Sequence, residues 1–178
     1  MTFSALPTTI RGDAGERIVH DYIKSKGYFP YQQALNVPYP LDIVAYSQDA
    51  GQLALAEVKT YPRRYAYADT GIDLADWETY LAIAATHRLP FALLFVDKFE
   101  EALYGADIRR LEVSKTGKGP TGPKVYFDLS QMHLRKRLAE SEVASIPDPP
   151  GHVFNWTRYK FTRRYFGDSP LQNLTDHD

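Results

Sequence analysis

The sequence predicts an α/β domain, a mixed sheet flanked by helices, and three observations predict it. The hydrophobic periodicities of the first 97 residues run in the order helix, three strands, helix, strand. Two apolar runs, 41–47 and 52–60, face each other across a tight glycine-containing turn, the clearest hairpin in the chain. The run 90–97 (PFALLFVD) is almost wholly apolar, the mark of a strand buried on both faces. With 178 residues, 44% of them apolar and 24% charged, the chain is one domain of ordinary size that needs no staple to hold its core.

Residues 1–11 read as a flexible arm, 12–146 as the domain with its core at 12–97, and 147–178 as a basic-aromatic extension packing on that domain. The stretch 12–26 reads as a helix, with Ile18, Val19, Tyr22 and Ile23 on one stripe, Asp13 as cap and Gly27 as stop. A first strand at 28–37 is weakened by Pro30, and the hairpin follows it. Residues 61–72, rich in Pro, Arg and Tyr, read as a loop. The second helix spans 73–88, turning Leu74, Trp77, Leu81 and Ala84 or Ala85 inward. Further strands are expected at 108–114 and 124–129 around a glycine-rich loop at 116–123, then a short helix from Gln131 to about Glu140. The prolines of 146–151 make a clear break.

There is no cysteine, which excludes a disulfide scaffold, a Cys-ligated zinc site, an iron–sulfur cluster and a thiol nucleophile. No apolar run approaches the ~20 residues of a membrane span, so no membrane partner is expected. The first residues lack the charged-then-apolar order of a signal peptide, and the expected location is the cytoplasm. A net charge of −1 argues against a protein that binds by charge alone. Its distribution is uneven: residues 1–110 carry 11 Lys/Arg against 14 Asp/Glu, and 111–178 carry 10 against 8. Lys115, Lys118 and Lys124 fall in one basic stretch, and Arg158, Lys160, Arg163 and Arg164 in another. Trp156, Tyr159, Phe161, Tyr165 and Phe166 interleave with the second. Basic charge beside rings that stack on bases suits a nucleic-acid groove, and Arg63 and Arg64 are further candidates for phosphate contact. Residues 116–124 lack the G-x-x-x-x-G-K-[ST] spacing of a phosphate loop.

The chemistry concentrates in three acids and one lysine. If the hairpin turns about Asp49-Ala50, paired residue numbers sum to about 99, which sets Asp42 opposite or diagonal to Glu57, within ~5–8 Å. The strand period of two puts Glu57 and Lys59 on one face. Two carboxylates so close repel, and a hard divalent cation relieves the repulsion. Asp42 and Glu57, with the carbonyl of Val58, suit Mg²⁺, and Mn²⁺ can substitute. Such a patch fits phosphodiester hydrolysis: the cation acidifies a water, and Lys59 positions it and stabilises the phosphorane. Glu16, on the first helix, can join through water or orient the nucleophile; His20 lies one turn beyond it.

Asp42…Glu57-Val58-Lys59, preceded by Gly15-Glu16-Arg17 on a helix, resembles the PD-(D/E)XK nuclease superfamily over residues 12–97. The order of elements is most similar to the archaeal Holliday-junction resolvases and their restriction-like relatives. The resemblance implies a restriction-endonuclease-like sheet with C-terminal β/α additions, Mg²⁺ dependence and DNA as partner. By position, the family's helical Glu maps to Glu16, its metal-binding Asp to Asp42, its (D/E) to Glu57 and its Lys to Lys59. The expected function is therefore a metal-dependent endonuclease on DNA, including structured or branched DNA. One metal patch per chain would need a homodimer to cut both strands at once, whereas a nickase would not. Two other readings use the same residues: a nuclease-fold subunit that binds DNA without turnover, and a ribonuclease or nucleotide hydrolase.

Overall fold

A computed structural model describes residues 7–32, 41–60, 67–119 and 122–148. The first helix, α1 (Pro7–Ser25), is followed by β1 (Tyr28–Gln32), β2 (Ile43–Ser47), β3 (Gln52–Lys59), β4 (Asp69–Asp73), α2 (Leu74–His87), β5 (Phe91–Asp97) and β6 (Ala102–Asp107). Then come a 3-10 turn at Ile108–Arg110, β7 (Lys115–Gly119), β8 (Gly122–Asp128), a second 3-10 turn at Leu129–Gln131, β9 (His133–Arg137) and α3 (Glu140–Ser145).

Six strands form the main sheet in the order β1-β2-β3-β5-β6-β9, and β4-β8-β7 form a smaller one. The β2–β3 hairpin pairs Ile43 with Ala56 and Val44 with Leu55, the register expected from its turn. β5 runs parallel to β3, and all other neighbours are antiparallel. Its central place explains its composition: Leu93, Phe95 and Val96 are wholly buried, each such side chain being worth roughly 1.5–3 kcal/mol of transfer free energy.

The main sheet carries a core on each face. On one face α1 and α3 cover it, with Ile18, Val19 and Ile23 packed on Ala45, Ala56, Val58 and Val96. On the other, α2 and the small sheet bury Trp77, Tyr80, Phe127 and Leu129 against Leu55, Phe91, Phe95 and Tyr104. The Trp77 and Phe127 rings lie 4.7 Å apart. Among the described residues, the second face is left open toward its β1 edge. There Phe29 (62% exposed), Tyr31 (70%), Tyr46 (43%) and Leu53 (44%) form one apolar patch, with Phe29 opposite Tyr46 and Tyr46 opposite Leu53.

Several local expectations need correction. The helix starts at Pro7, not within 12–26, so residues 7–11 are no arm and Asp13 is no cap. Proline suits the first helical position, where its missing N–H costs nothing. Residues 69–73, expected as loop, form β4 because β8 supplies a ladder partner. The strand expected at 108–114 is instead β6 at 102–107 followed by a 3-10 turn. The glycine-rich 116–123 falls largely within the β7–β8 hairpin. The helix expected from Gln131 is β9, whose alternate residues face outward.

Candidate active site

Glu57 and Lys59 end β3 on the face covered by α2, and the hairpin register carries Asp42, just before β2, to the same corner. Asp42 is held there by its backbone neighbour: its Oδ2 accepts the Val58 N–H at 2.7 Å. Lys59 Nζ donates to Glu57 Oε1, both side chains being largely buried. The Tyr80 hydroxyl, from α2, donates a hydrogen bond to the same carboxylate. The two acids are also close enough to couple, the Asp42 charge raising the pKa of Glu57.

Glu16 reaches the corner from α1, which passes the end of β3 very closely. A Cβ on Gly15 would lie 1.8 Å from Thr60 Oγ1, so only glycine permits this approach. Burial and the nearby Asp42 raise the Glu16 pKa to about 7. For Glu57, burial and then Asp42 outweigh the Lys59 ammonium, and its carboxyl is also pushed up to about 7. Burial raises the Asp42 pKa as well, against the pull of the Val58 N–H and Lys59. The corner therefore holds protons at a pH where ordinary carboxylates have lost them.

This donor set fits a hard divalent ion. The two carboxylates are crowded and largely desolvated, which raises the pKa of both, and a cation can relieve what a proton otherwise would. Among the described residues no three His, Asp or Glu side chains gather closely enough to bind an ion alone. An ion at this corner would draw on Asp42 and Glu57 with a backbone oxygen, and Glu16 would lie in its outer surroundings.

The other candidate residues are scattered. Lys124 pairs with Asp73 at 3.2 Å, at the start of α2, and Lys115 Nζ sits 4.2 Å above the Tyr67 ring. Lys118 is exposed on β7. These lysines stand on a paired ribbon, not on the loop expected for them. Asp73 and Lys124 also pair across β4 and β8. His20 lies 3.7 Å from Asp21. Arg63, Arg64, Arg158, Lys160, Arg163, Arg164 and the rings at Trp156, Tyr159, Phe161, Tyr165 and Phe166 fall outside the described residues. Tyr80 was not foreseen, although Asp76 and Tyr80 at i and i+4 share the α2 face that carries Trp77.

Among solved structures, the chain is similar to the Holliday junction resolvase Hjc of Archaeoglobus fulgidus, with a TM-score of 0.50 and 16% identity over 67% of this chain and 90% of that one. The fold is restriction-endonuclease-like. No protein-family model matches the sequence, and no curated protein matches it. No helix among the described residues is long and apolar enough to cross a membrane.

Proposed function

We propose that the chain is a metal-dependent endonuclease that hydrolyses DNA phosphodiester bonds, with branched or structured DNA as substrate. The observation that carries the reading is the Asp42–Glu57–Lys59 corner, two crowded carboxylates beside an ammonium at the end of β3. Its setting, a sheet like that of a Holliday junction resolvase, supports a branched substrate. Asp42, Glu57 and the Val58 carbonyl would hold Mg²⁺, or Mn²⁺ in its stead, which supplies a Lewis acid for the phosphate and a more acidic water.

The chain's own groups do the rest. The Val58 N–H and the Tyr80 hydroxyl fix the two carboxylates, so little reorganisation is needed when charge develops. Lys59 offers a cation to the phosphorane oxygens. Glu16, with a pKa near neutrality, is suited to accept a proton from the attacking water. DNA would be held by Lys115, Lys118 and Lys124, by Arg63 and Arg64, and by Arg158, Lys160, Arg163 and Arg164 of the extension. The apolar patch at Phe29, Tyr31, Tyr46 and Leu53 supports a homodimer, which would bring two corners to one substrate. A cytoplasmic location belongs to the same reading.

The test is cleavage of a four-way junction and of supercoiled plasmid with Mg²⁺ or Mn²⁺, with Lys59→Ala as control. Product from wild type and none from the variant supports the reading. No product at high protein, with DNA still shifted on a gel, overturns it in favour of a DNA-binding subunit without turnover. Equal cutting of matched RNA and DNA strands overturns DNA as the particular substrate.

A further inference from the structure

Away from the acidic corner, on the α1 face and toward the start of β5, lies a cavity of about 300 Å³. Its floor is made of small residues on four neighbouring strands. Ala45 and Ala54 pair across β2–β3, Ala56 pairs with Ala92, and Gly105 faces Leu94 across β5–β6. The wall is the last turn of α1 with Tyr22, then Lys26 and Tyr28 just beyond the helix.

Two devices bring a cation to its mouth. The β6–β9 ladder shifts register between Leu103 and Tyr104, leaving Arg135 outside the regular pairing, and such bulges re-aim a side chain. A Cβ on Gly105 would lie 3.2 Å from Arg135 Cγ and 2.6 Å from a Leu94 methyl, so the missing side chain lets the arginine stem lie across the sheet. The Arg135 charge reaches the Tyr22 hydroxyl across the mouth. Lys26 stands on the same rim, its ammonium 5.7 Å from the Tyr22 ring. Asp107 is the acid of the lining, and Arg109 already engages both of its oxygens. Neither Lys26 nor Arg135 forms an ion pair among the described residues.

An inorganic anion would use the two cations and waste the cavity; a neutral apolar molecule would do the reverse. We propose that the cavity binds a nucleoside monophosphate unit, its base on the Ala45–Ala54–Gly105 floor beside Tyr22 and its phosphate at Lys26 and Arg135. The unit is either a free nucleotide or the 5′-phosphorylated end of a DNA strand. The proposal does not need the chain to hydrolyse DNA.

The test is titration of the metal-free full chain with deoxyadenosine monophosphate, deoxyadenosine and inorganic phosphate, followed calorimetrically. The monophosphate should bind at least about tenfold tighter than either fragment. Arg135→Ser and Lys26→Ser, both at exposed positions, should each weaken it about two- to fivefold. Ala54→Phe, at a half-buried position, should abolish binding with the melting transition retained, and Asp42→Asn should leave it unchanged. Equal affinity for the monophosphate and its fragments overturns the proposal. So does loss of binding in Asp42→Asn, which would put the nucleotide in the acidic corner, or insensitivity to both cation variants. Competition by a 5′-phosphorylated single strand identifies a DNA end as the source; its absence identifies the free nucleotide.

Discussion

At the end of β3, two carboxylates and an ammonium are packed under α2, where burial has driven the acids to keep a proton. On the opposite face, at the mouth of the α1 cavity, Lys26 and Arg135 keep their charges in water on long stems. Both groupings set ionisable side chains against the same six strands, mixed in sign and buried at the corner, cationic and exposed at the rim. In the corner, charge costs stability and, on the proposed reading, serves chemistry; at the rim it costs nearly nothing and, on the proposal above, serves attraction. Substitutions should therefore move rates and pH profiles at the corner, and affinities at the rim.

The largest effect is expected at Lys59. Lys59→Ala should lower cleavage by about 10³-fold, the scale of losing one preorganised charge, while a gel shift shows DNA still bound. Wild-type turnover would remove the distinction between corner and rim. Metal binding should follow the proton that Glu57 holds up to about pH 7. Because a cation must displace it, Mn²⁺ affinity should rise about tenfold per pH unit below 7 and level off above. A pH-independent affinity would mean that the carboxylates are not the ligands.

Stability should run the other way. The Glu57 carboxyl has a pKa of about 7 in the folded chain against 4.5 when unperturbed. Between these values the folded state holds a proton that the unfolded state has released, so the contribution is fully present below 4.5 and lost as pH rises to 7. Glu57→Gln should accordingly stabilise the protein at pH 8 by about 1–3 kcal/mol and bring no gain at pH 4, read from urea midpoints. A variant less stable at pH 8 would mean that Lys59 outweighs burial. Gly15→Ala tests how the corner is closed: its Cβ meets Thr60, so a loss of about 1–3 kcal/mol is expected, partly restored by Thr60→Gly.

The corner was largely legible in the sequence because its geometry is local. A tight turn and a period of two determine which residues of a hairpin meet, and 43 opposite 56 follows from the turn alone. Tyr80 and Asp76 were illegible for the opposite reason: they arrive by the packing of α2 over the sheet, a contact between elements that no spacing encodes. The same divide runs through the fold. β5 announces itself by composition. β4 (DTGID) has poor strand formers and exists because β8 pairs with it. β9 (HLRKR) reads as readily as a helix, and only β6 beside it makes it a strand. The rim was missed entirely, since Arg135 gains its position from a register shift and a glycine on another strand.

The smallest effect is expected on the β7–β8 ribbon. Lys118 is exposed there, whereas Lys124 is tied to Asp73 and Lys115 rests on Tyr67. A solvated lysine that contacts one phosphate adds affinity through counterion release and carries no base preference. Lys118→Ser should therefore weaken DNA binding only about two- to fivefold, alike for all sequences, and reduce the salt slope by about one. Cleavage at saturating DNA should stay at the wild-type rate, because the ribbon bears no group of the corner. A fall in that rate instead would mean that the ribbon positions the scissile phosphate, and the separation of attraction from chemistry would fail at this edge of the molecule.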